Sequence, residues 1–178
     1  MDHKKVESII IKNAYNDFKW ISGSDVVISQ WTRFKCMYGC PSYGNKGSCP
    51  PSVPSILECR EFFSEYKNIV VIHIKQQLGN SEDLKAWSRK TNLHLLELEK
   101  AAFQLGYYKT FLLFMDECQI CNQCSGTREE CKNPHLSRPS PEALGVDVFA
   151  TVRKLSLPVE VLTNQTQEMN RYSFLMIE

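Results

Sequence analysis

The sequence predicts one α/β or α+β domain over residues 1–178, with a mixed sheet of about four or five strands, packed helices and two cysteine-rich metal loops. Three observations carry this expectation. Residues 68–74 (Asn-Ile-Val-Val-Ile-His-Ile) and 110–115 (Thr-Phe-Leu-Leu-Phe-Met) are short, nearly continuous apolar runs, as in strands covered on both faces. Between them Leu84, Trp87, Thr91, Leu95, Leu98, Ala102 and Leu105 recur at gaps of three or four, the period of a long helix. Seven of the eight cysteines fall in two loops, at Cys36, Cys40 and Cys49 and at Cys118, Cys121, Cys124 and Cys131.

In chain order, Val6, Ile9, Ile10, Ala14 and Phe18 are spaced for an N-terminal helical segment over about residues 1–20. Gly23-Ser24 breaks it, and Val26-Val27-Ile28 reads as a short strand. Trp31 to Lys35 alternates and reads as extended chain leading into Cys36. Residues 36–51 are too rich in Gly and Pro for regular structure. Ser52 is placed to cap the next helix, with Pro54 in its first turn, and Ile56, Cys59, Phe62, Phe63 and Tyr66 form its apolar face.

Gly79-Asn80 marks a turn, Ser81 a cap, and Gly106 the end of the long helix. The strand–helix–strand order that follows suggests a right-handed crossover between parallel strands. After Cys131 a proline-punctuated connector runs from Asn133 to Pro141. Ser140 caps a short turn ending at Gly145, and Asp147 caps a helix through Lys154. Leu157–Leu162 and Tyr172–Ile177 read as closing strands.

Composition narrows the function. A hydrophobic fraction of 43% and a charged fraction of 23% suit a soluble globular protein. The net charge of +1, from 21 basic and 20 acidic residues, gives no electrostatic case for nucleic acid or an anionic membrane. No stretch approaches the ~20 apolar residues of a membrane span, and no signal peptide follows Met1-Asp2-His3. Cysteines clustered at ligand spacing suit metal binding in a reducing compartment, so the expected location is cytoplasmic.

Cys118-x2-Cys121-x2-Cys124, followed by Cys131, is the spacing of a loop that wraps a [4Fe–4S] cluster. Zinc ribbons use two separated pairs instead, and three cysteines in consecutive knuckles that share Cys121 crowd one tetrahedral ion. The match to the bacterial ferredoxin run is incomplete, because the fourth gap is six residues and no proline follows Cys131 directly. A structural zinc is the alternative. The amides of Ser125-Gly126-Thr127 are placed to donate to sulfur, and His135 reads as an ordinary loop histidine.

Cys36-x3-Cys40-x8-Cys49 is less specific. It suits a second cluster with Cys59 as fourth ligand, a metal with one open or non-cysteine position, or zinc. Cys59 sits on an apolar helix face and is expected in the core. His73 is a candidate ligand on a buried strand, and a core histidine is the more ordinary role. Arg33, Lys35 and Lys46 flank the group and would favour bound thiolate, or are simply solvated loop charges. Tyr38 and Tyr43 are placed to shield it.

These residues resemble an uncharacterised cysteine-rich family of predicted metal-binding proteins of bacteria and archaea, many of them anaerobes. The resemblance rests on Lys35-Cys36 to Gly39-Cys40, Tyr43-Gly44, Cys49-Pro50-Pro51 and Pro54. It continues in Cys118, Cys121, Cys124, Cys131, Pro134, Arg138-Pro-Ser-Pro-Glu142-Ala143 and Gly145-Val-Asp-Val148, and spans residues 30–178. The resemblance implies a pattern of seven cysteines at these positions with no requirement at Cys59, which supports a core role for Cys59. It implies metal binding, with iron–sulfur as the expected chemistry.

Three functions follow. One is an iron–sulfur protein for electron transfer or redox support of a partner protein, with one [4Fe–4S] cluster at Cys118, Cys121, Cys124 and Cys131 and a second metal centre at Cys36, Cys40 and Cys49. The others are a zinc-stabilised interaction module and an enzyme using an open cluster position. No Ser-His-Asp set, phosphate-binding glycine loop or HExxH helix is present, so any chemistry would belong to the metal.

Overall fold

The computed structural model describes residues 1–77, 81–164 and 167–178. It is an α+β domain with the elements α1 (His3–Lys12), β1 (Phe18–Ile21), α2 (Gln30–Gly39), α3 (Ile56–Ser64), β2 (Ile69–Gln76), α4 (Ser81–Gln104), β3 (Phe111–Leu113), α5 (Val148–Lys154) and β4 (Met169–Met176). Short 3₁₀ turns cover Gly23–Asp25 and Glu142–Leu144.

The sheet has four strands in the order β1-β2-β4-β3, and each neighbouring pair is antiparallel. The strands of residues 68–74 and 110–115, expected parallel and joined through α4, are not neighbours in the sheet. β2 and β3 run in the same direction, but β4 lies between them, with Val70 opposite Leu175 and Leu112 opposite that same Leu175.

The continuous apolar run in β2 has the cause the sequence suggested. Ile69 and Val71 face one core with Cys59 and Phe63 of α3 and Val148 and Val152 of α5. Val70 and Ile72 face the other with Val6 and Ile10 of α1 and Leu95, Leu98 and Ala102 of α4. The sheet is therefore covered by helices on both faces. Burying one such aliphatic side chain contributes about 1.5–3 kcal/mol, so these two layers dominate the stability.

The exposed edge of β3 is closed by side chains and by the connector. The Leu112 amide donates to Glu99 Oε1 at 2.9 Å, Phe114 N–H to the Pro139 carbonyl at 2.9 Å, and Met115 N–H to Asn92 Oδ1 at 3.3 Å. These bonds fix the direction in which the chain leaves β3 toward Cys118.

Several local expectations are corrected. Phe18 belongs to β1, so the N-terminal helix stops at Lys12. Residues 26–28 make only an isolated bridge, Ile28 to Val146. Trp31–Lys35 is helical, inside α2. The cap of α3 is Ser55, not Ser52: its hydroxyl accepts from Glu58 N–H, and Glu58 Oε2 accepts from Ser55 N–H at 2.7 Å. Residues 157–162 form no strand. The Gly79-Asn80 turn and the side chain of Ser81 lie outside the described residues.

Other caps fall where the sequence puts them. Asp147 accepts from Ala150 N–H at 2.9 Å and starts α5. Ser140 Oγ accepts from Ala143 N–H, and Gly145 ends that turn at φ +82°. The positive φ requires glycine at Gly145, and an added Cβ would also displace the Ile56 Cδ1 methyl, 2.2 Å away.

Candidate metal centre

The cysteine loops meet at the C-terminal end of β3. Beyond β3 the chain passes through Asp116 and Glu117 and enters the irregular loop from Cys118 to Cys131. Cys118, Cys121, Cys124 and Cys131 all line one small cavity, together with Gly47 and Ser48 of the other cysteine loop. All eight cysteines are free thiols.

Polar hydrogens converge on the sulfurs of this cavity. Asn133 Nδ2 donates to Cys121 Sγ at 3.0 Å. Burial alone would raise the Cys124 thiol, but N–H donors of Gly126, Gly47 and Ser125 and the Lys46 ammonium outweigh it and hold its pKa below the ordinary value. Gly126 adopts φ +96°, a conformation that favours glycine. Among the described residues, no three His, Cys, Asp or Glu side chains converge tightly enough to hold a single metal ion.

Cys36 lies in the last turn of α2 and Cys40 caps its end. Cys49 is buried at the far end of the turn that follows, next to the cis Pro50–Pro51 bond. The three thiols lie near enough to affect one another. Burial pushes Cys36 up, with Cys40 and Glu142 adding to it and Arg33 opposing. Burial, then Glu117 and Cys40, push Cys49 up to about 12. Lys46 opposes that rise.

Lys46 and Gly47 join the two loops. Lys46 Nζ is 3.3 Å from Glu117 Oε1 and donates to the Cys118 carbonyl at 3.2 Å and to Gln119 Oε1 at 3.3 Å. Gly47 packs so closely that an added Cβ would lie 2.3 Å from the Thr127 carbonyl oxygen. The two cysteine loops are thus in direct contact.

Both residues considered as a fourth ligand for the first group are engaged elsewhere. Cys59 is 1% exposed, inside the core, with its thiol 3.7 Å from the Pro54 carbonyl. His73 Nδ1 is 2.6 Å from Asp17 Oδ2 and Nε2 is 2.8 Å from Asn170 Oδ1, and its ring stacks on Tyr172. His73 is thus a buried core histidine with both ring nitrogens partnered.

The flanking cations divide. Arg33 stands beside Cys36 and donates to the Pro54 and Ala143 carbonyls at 3.0 and 3.1 Å, tying α2 to the Glu142–Leu144 turn. Lys35 instead lies 5.7 Å over the Trp31 ring. His135 is exposed.

Two carboxylates escaped the sequence reading. Glu117 accepts from Ser42 Oγ and, at 2.5 Å, from Gln119 Nε2, besides pairing with Lys46. Glu142 shares a cavity with Cys36 and Cys40. Glu142 keeps exposed surface, yet the protein packed around it raises its carboxyl, opposed by donors from its own backbone and from the Ser140 side chain. The position of Glu117 just before Cys118 is the only sequence signal for the first. The second stands in the Pro-Ser-Pro-Glu-Ala stretch that carried the family resemblance.

Fold and site together define an α+β protein with cysteine-lined pockets whose donor set suits a thiophilic metal. The family model described as predicted metal-binding protein (DUF2284) matches residues 19–177, and the chain belongs to that family. No curated protein and no solved structure matches the chain. Among the described residues, no helix is long and apolar enough to cross a membrane.

Proposed function

We propose that the chain is an iron–sulfur protein for electron transfer or redox support of a partner enzyme. On this reading Cys118, Cys121, Cys124 and Cys131 hold one [4Fe–4S] cluster, and Cys36, Cys40 and Cys49 hold a second metal centre. One observation carries it: four thiols, at the spacing of a cluster-binding loop, line a single cavity. A zinc ion would pull its sulfurs to about 2.3 Å from one point. A cluster with a metal at each corner spreads its thiolates further apart.

When bound, the cluster supplies a one-electron redox centre. The chain's part is to hold the sulfurs and to stabilise their charge. Amides of Gly47, Ser125 and Gly126 and the Asn133 side chain do so by donating to sulfur, a contact that tunes reduction potential. Direct contact of the loops through Lys46 and Gly47 supports electron exchange between the two centres.

The reading includes a cytoplasmic location, since eight free thiols suit a reducing compartment. The partner it implies is another redox protein, and the near-zero net charge argues for neither nucleic acid nor membrane. A second reading, an enzyme acting at an open coordination position, is favoured by the cavity beside Cys36 and Cys40.

Anaerobic purification with iron, zinc and sulfide analysis and electron paramagnetic resonance tests the proposal. The expected result is a brown protein with about four irons and four sulfides for the cluster, plus the metal of the second centre. A colourless protein holding zinc alone overturns it.

A further inference from the structure

We propose that the cavity between α3, β3 and the two cysteine loops binds a small monocarboxylic acid with a flat apolar body. The carboxylate lies on Arg128, Ser48 and Ser137, and the body lies against Phe62 and Phe111. The binding does not depend on which metal the cysteines hold.

The cavity has a volume of about 360 Å³, within the range of small-molecule sites. Its two ends differ. α3 and β3 supply the apolar end. The rings of Phe62 and Phe111 meet edge to face with centroids 5.7 Å apart, and Val53, Pro54 and Leu144 continue the wall. Such a surface suits a flat carbon skeleton.

The cysteine loops supply the polar end. Gly47, Ser48 and Ser137 line this cavity and the cavity of Cys118, Cys121, Cys124 and Cys131 alike, so the two share a wall. Ser48 and Ser137 are each 6% exposed. Among the described residues neither hydroxyl has a hydrogen-bond partner. A buried hydroxyl without a partner is destabilising, and a ligand oxygen seated there relieves it.

Charge sets the sign of the ligand. Arg128 belongs to the same polar end, since its backbone packs against Gly47. Its side chain is exposed, and among the described residues only Nη2 has a partner, the Pro134 carbonyl at 3.1 Å. The other N–H groups are left for a carboxylate, the anion that a guanidinium grips in a two-point pair. Arg138 cannot serve, because Glu99 and the His135 and Ser137 carbonyls take its donors. The carboxylate in the lining, Glu58, belongs to α3 rather than to the polar end, and it accepts from Ser55 N–H at 2.7 Å.

The shared wall places the acid beside the metal centre. A bare electron carrier needs no organic pocket there, whereas an enzyme holds its substrate in such a place.

Isothermal titration calorimetry on the anaerobically purified full-length chain tests the site. Cinnamate is the probe, with cinnamamide and cinnamylamine as its neutral and cationic counterparts. Cinnamate is expected to bind at one site and more tightly than either. Arg128→Gln should weaken cinnamate by about tenfold to a hundredfold and leave cinnamamide unchanged, with Arg128→Lys between. Ser137→Ala should weaken cinnamate yet leave the free protein at least as stable as wild type, because it removes an unpaired buried hydroxyl. A merely structural serine would lose stability instead.

A preference for the amide or amine, equal binding of all three probes, or wild-type cinnamate affinity in Arg128→Gln and Ser137→Ala overturns the acid assignment. Absence of saturable cinnamate binding overturns the site. Iron and zinc content of the same preparation decides the cluster reading separately.

Discussion

Gly47 and Cys124 line the same small cavity, and the Gly47 amide helps hold the Cys124 thiol below its ordinary pKa, so a residue of the first cysteine loop acts on a thiol of the second. The contact leaves no space for a side chain, since a Cβ on Gly47 would stand 2.3 Å from the Thr127 carbonyl oxygen. Gly47→Ala should therefore push the loops apart. A loss of about 1–3 kcal/mol is expected from the overpacking, together with reduced metal content at both cysteine groups. Thermal denaturation and metal analysis check it. Unchanged metal at both groups would show that the loops act independently.

Cys59 should be dispensable for metal. Its thiol is 1% exposed and packs with Phe63 and Val148 in the core beneath α3. Cys59→Ala removes only a small buried group and is expected to cost about 1–2 kcal/mol with metal content unchanged. Denaturant melts and metal analysis on the seven-cysteine chain measure both. Loss of metal with stability intact would return Cys59 to the ligand set.

The contrast between Cys59 and the loop cysteines was legible because periodicity reports burial. Cys59 falls on the stripe of Ile56 and Phe63, and β2 shows as an unbroken apolar run because both its faces are covered. The helix α2 was missed for the complementary reason. Among its residues Thr32 is the only buried one, while Trp31, Phe34 and Tyr38 are exposed at helical spacing. That spacing was the available signal, masked by the basic residues between them. Strand order was not legible, because β4 enters between β2 and β3 from the far end of the chain. The meeting of the cysteine loops depends on that same long-range arrangement. So does the approach of Glu142 to Cys36, which lies more than a hundred residues away by sequence.

Glu99 and Arg138 form the clasp that sets the loop's exit from β3. Arg138 Nη2 lies 2.8 Å from Glu99 Oε2 and Nε 3.0 Å from Oε1, and Glu99 Oε1 also accepts from the Leu112 amide. The Arg138 and Glu99 side chains are only 18% and 10% exposed, so loss of one partner strands the other in a poorly hydrated place. Arg138→Ala should destabilise by about 3 kcal/mol, and Glu99→Ala by at least as much because the β3 edge amide also loses its acceptor. The double variant should cost less than the sum. A double-mutant cycle from chemical denaturation checks this, and strict additivity would refute the coupling.

The start of α3 makes stability depend on acid. Hydrogen bonds from the side chain and backbone of Ser55 hold the Glu58 carboxyl below its ordinary value. Those from the backbone and side chain of Ser22 do the same for Asp25. A carboxyl lowered on folding contributes stability above its unfolded value, about 4.3 for Glu and 3.9 for Asp, and loses it as pH falls through the lower folded value. At neutral pH Ser55→Ala should cost about 1 kcal/mol through the lost cap. Glu58→Gln should be less stable than wild type at neutral pH, with the difference fading in acid as pH falls through the lowered folded value, where wild-type Glu58 also becomes neutral. Denaturant melts of wild type and Glu58→Gln at neutral and acid pH measure it. A difference that persists unchanged in acid would mean that shape, rather than the charge on Glu58, holds the first turn of α3.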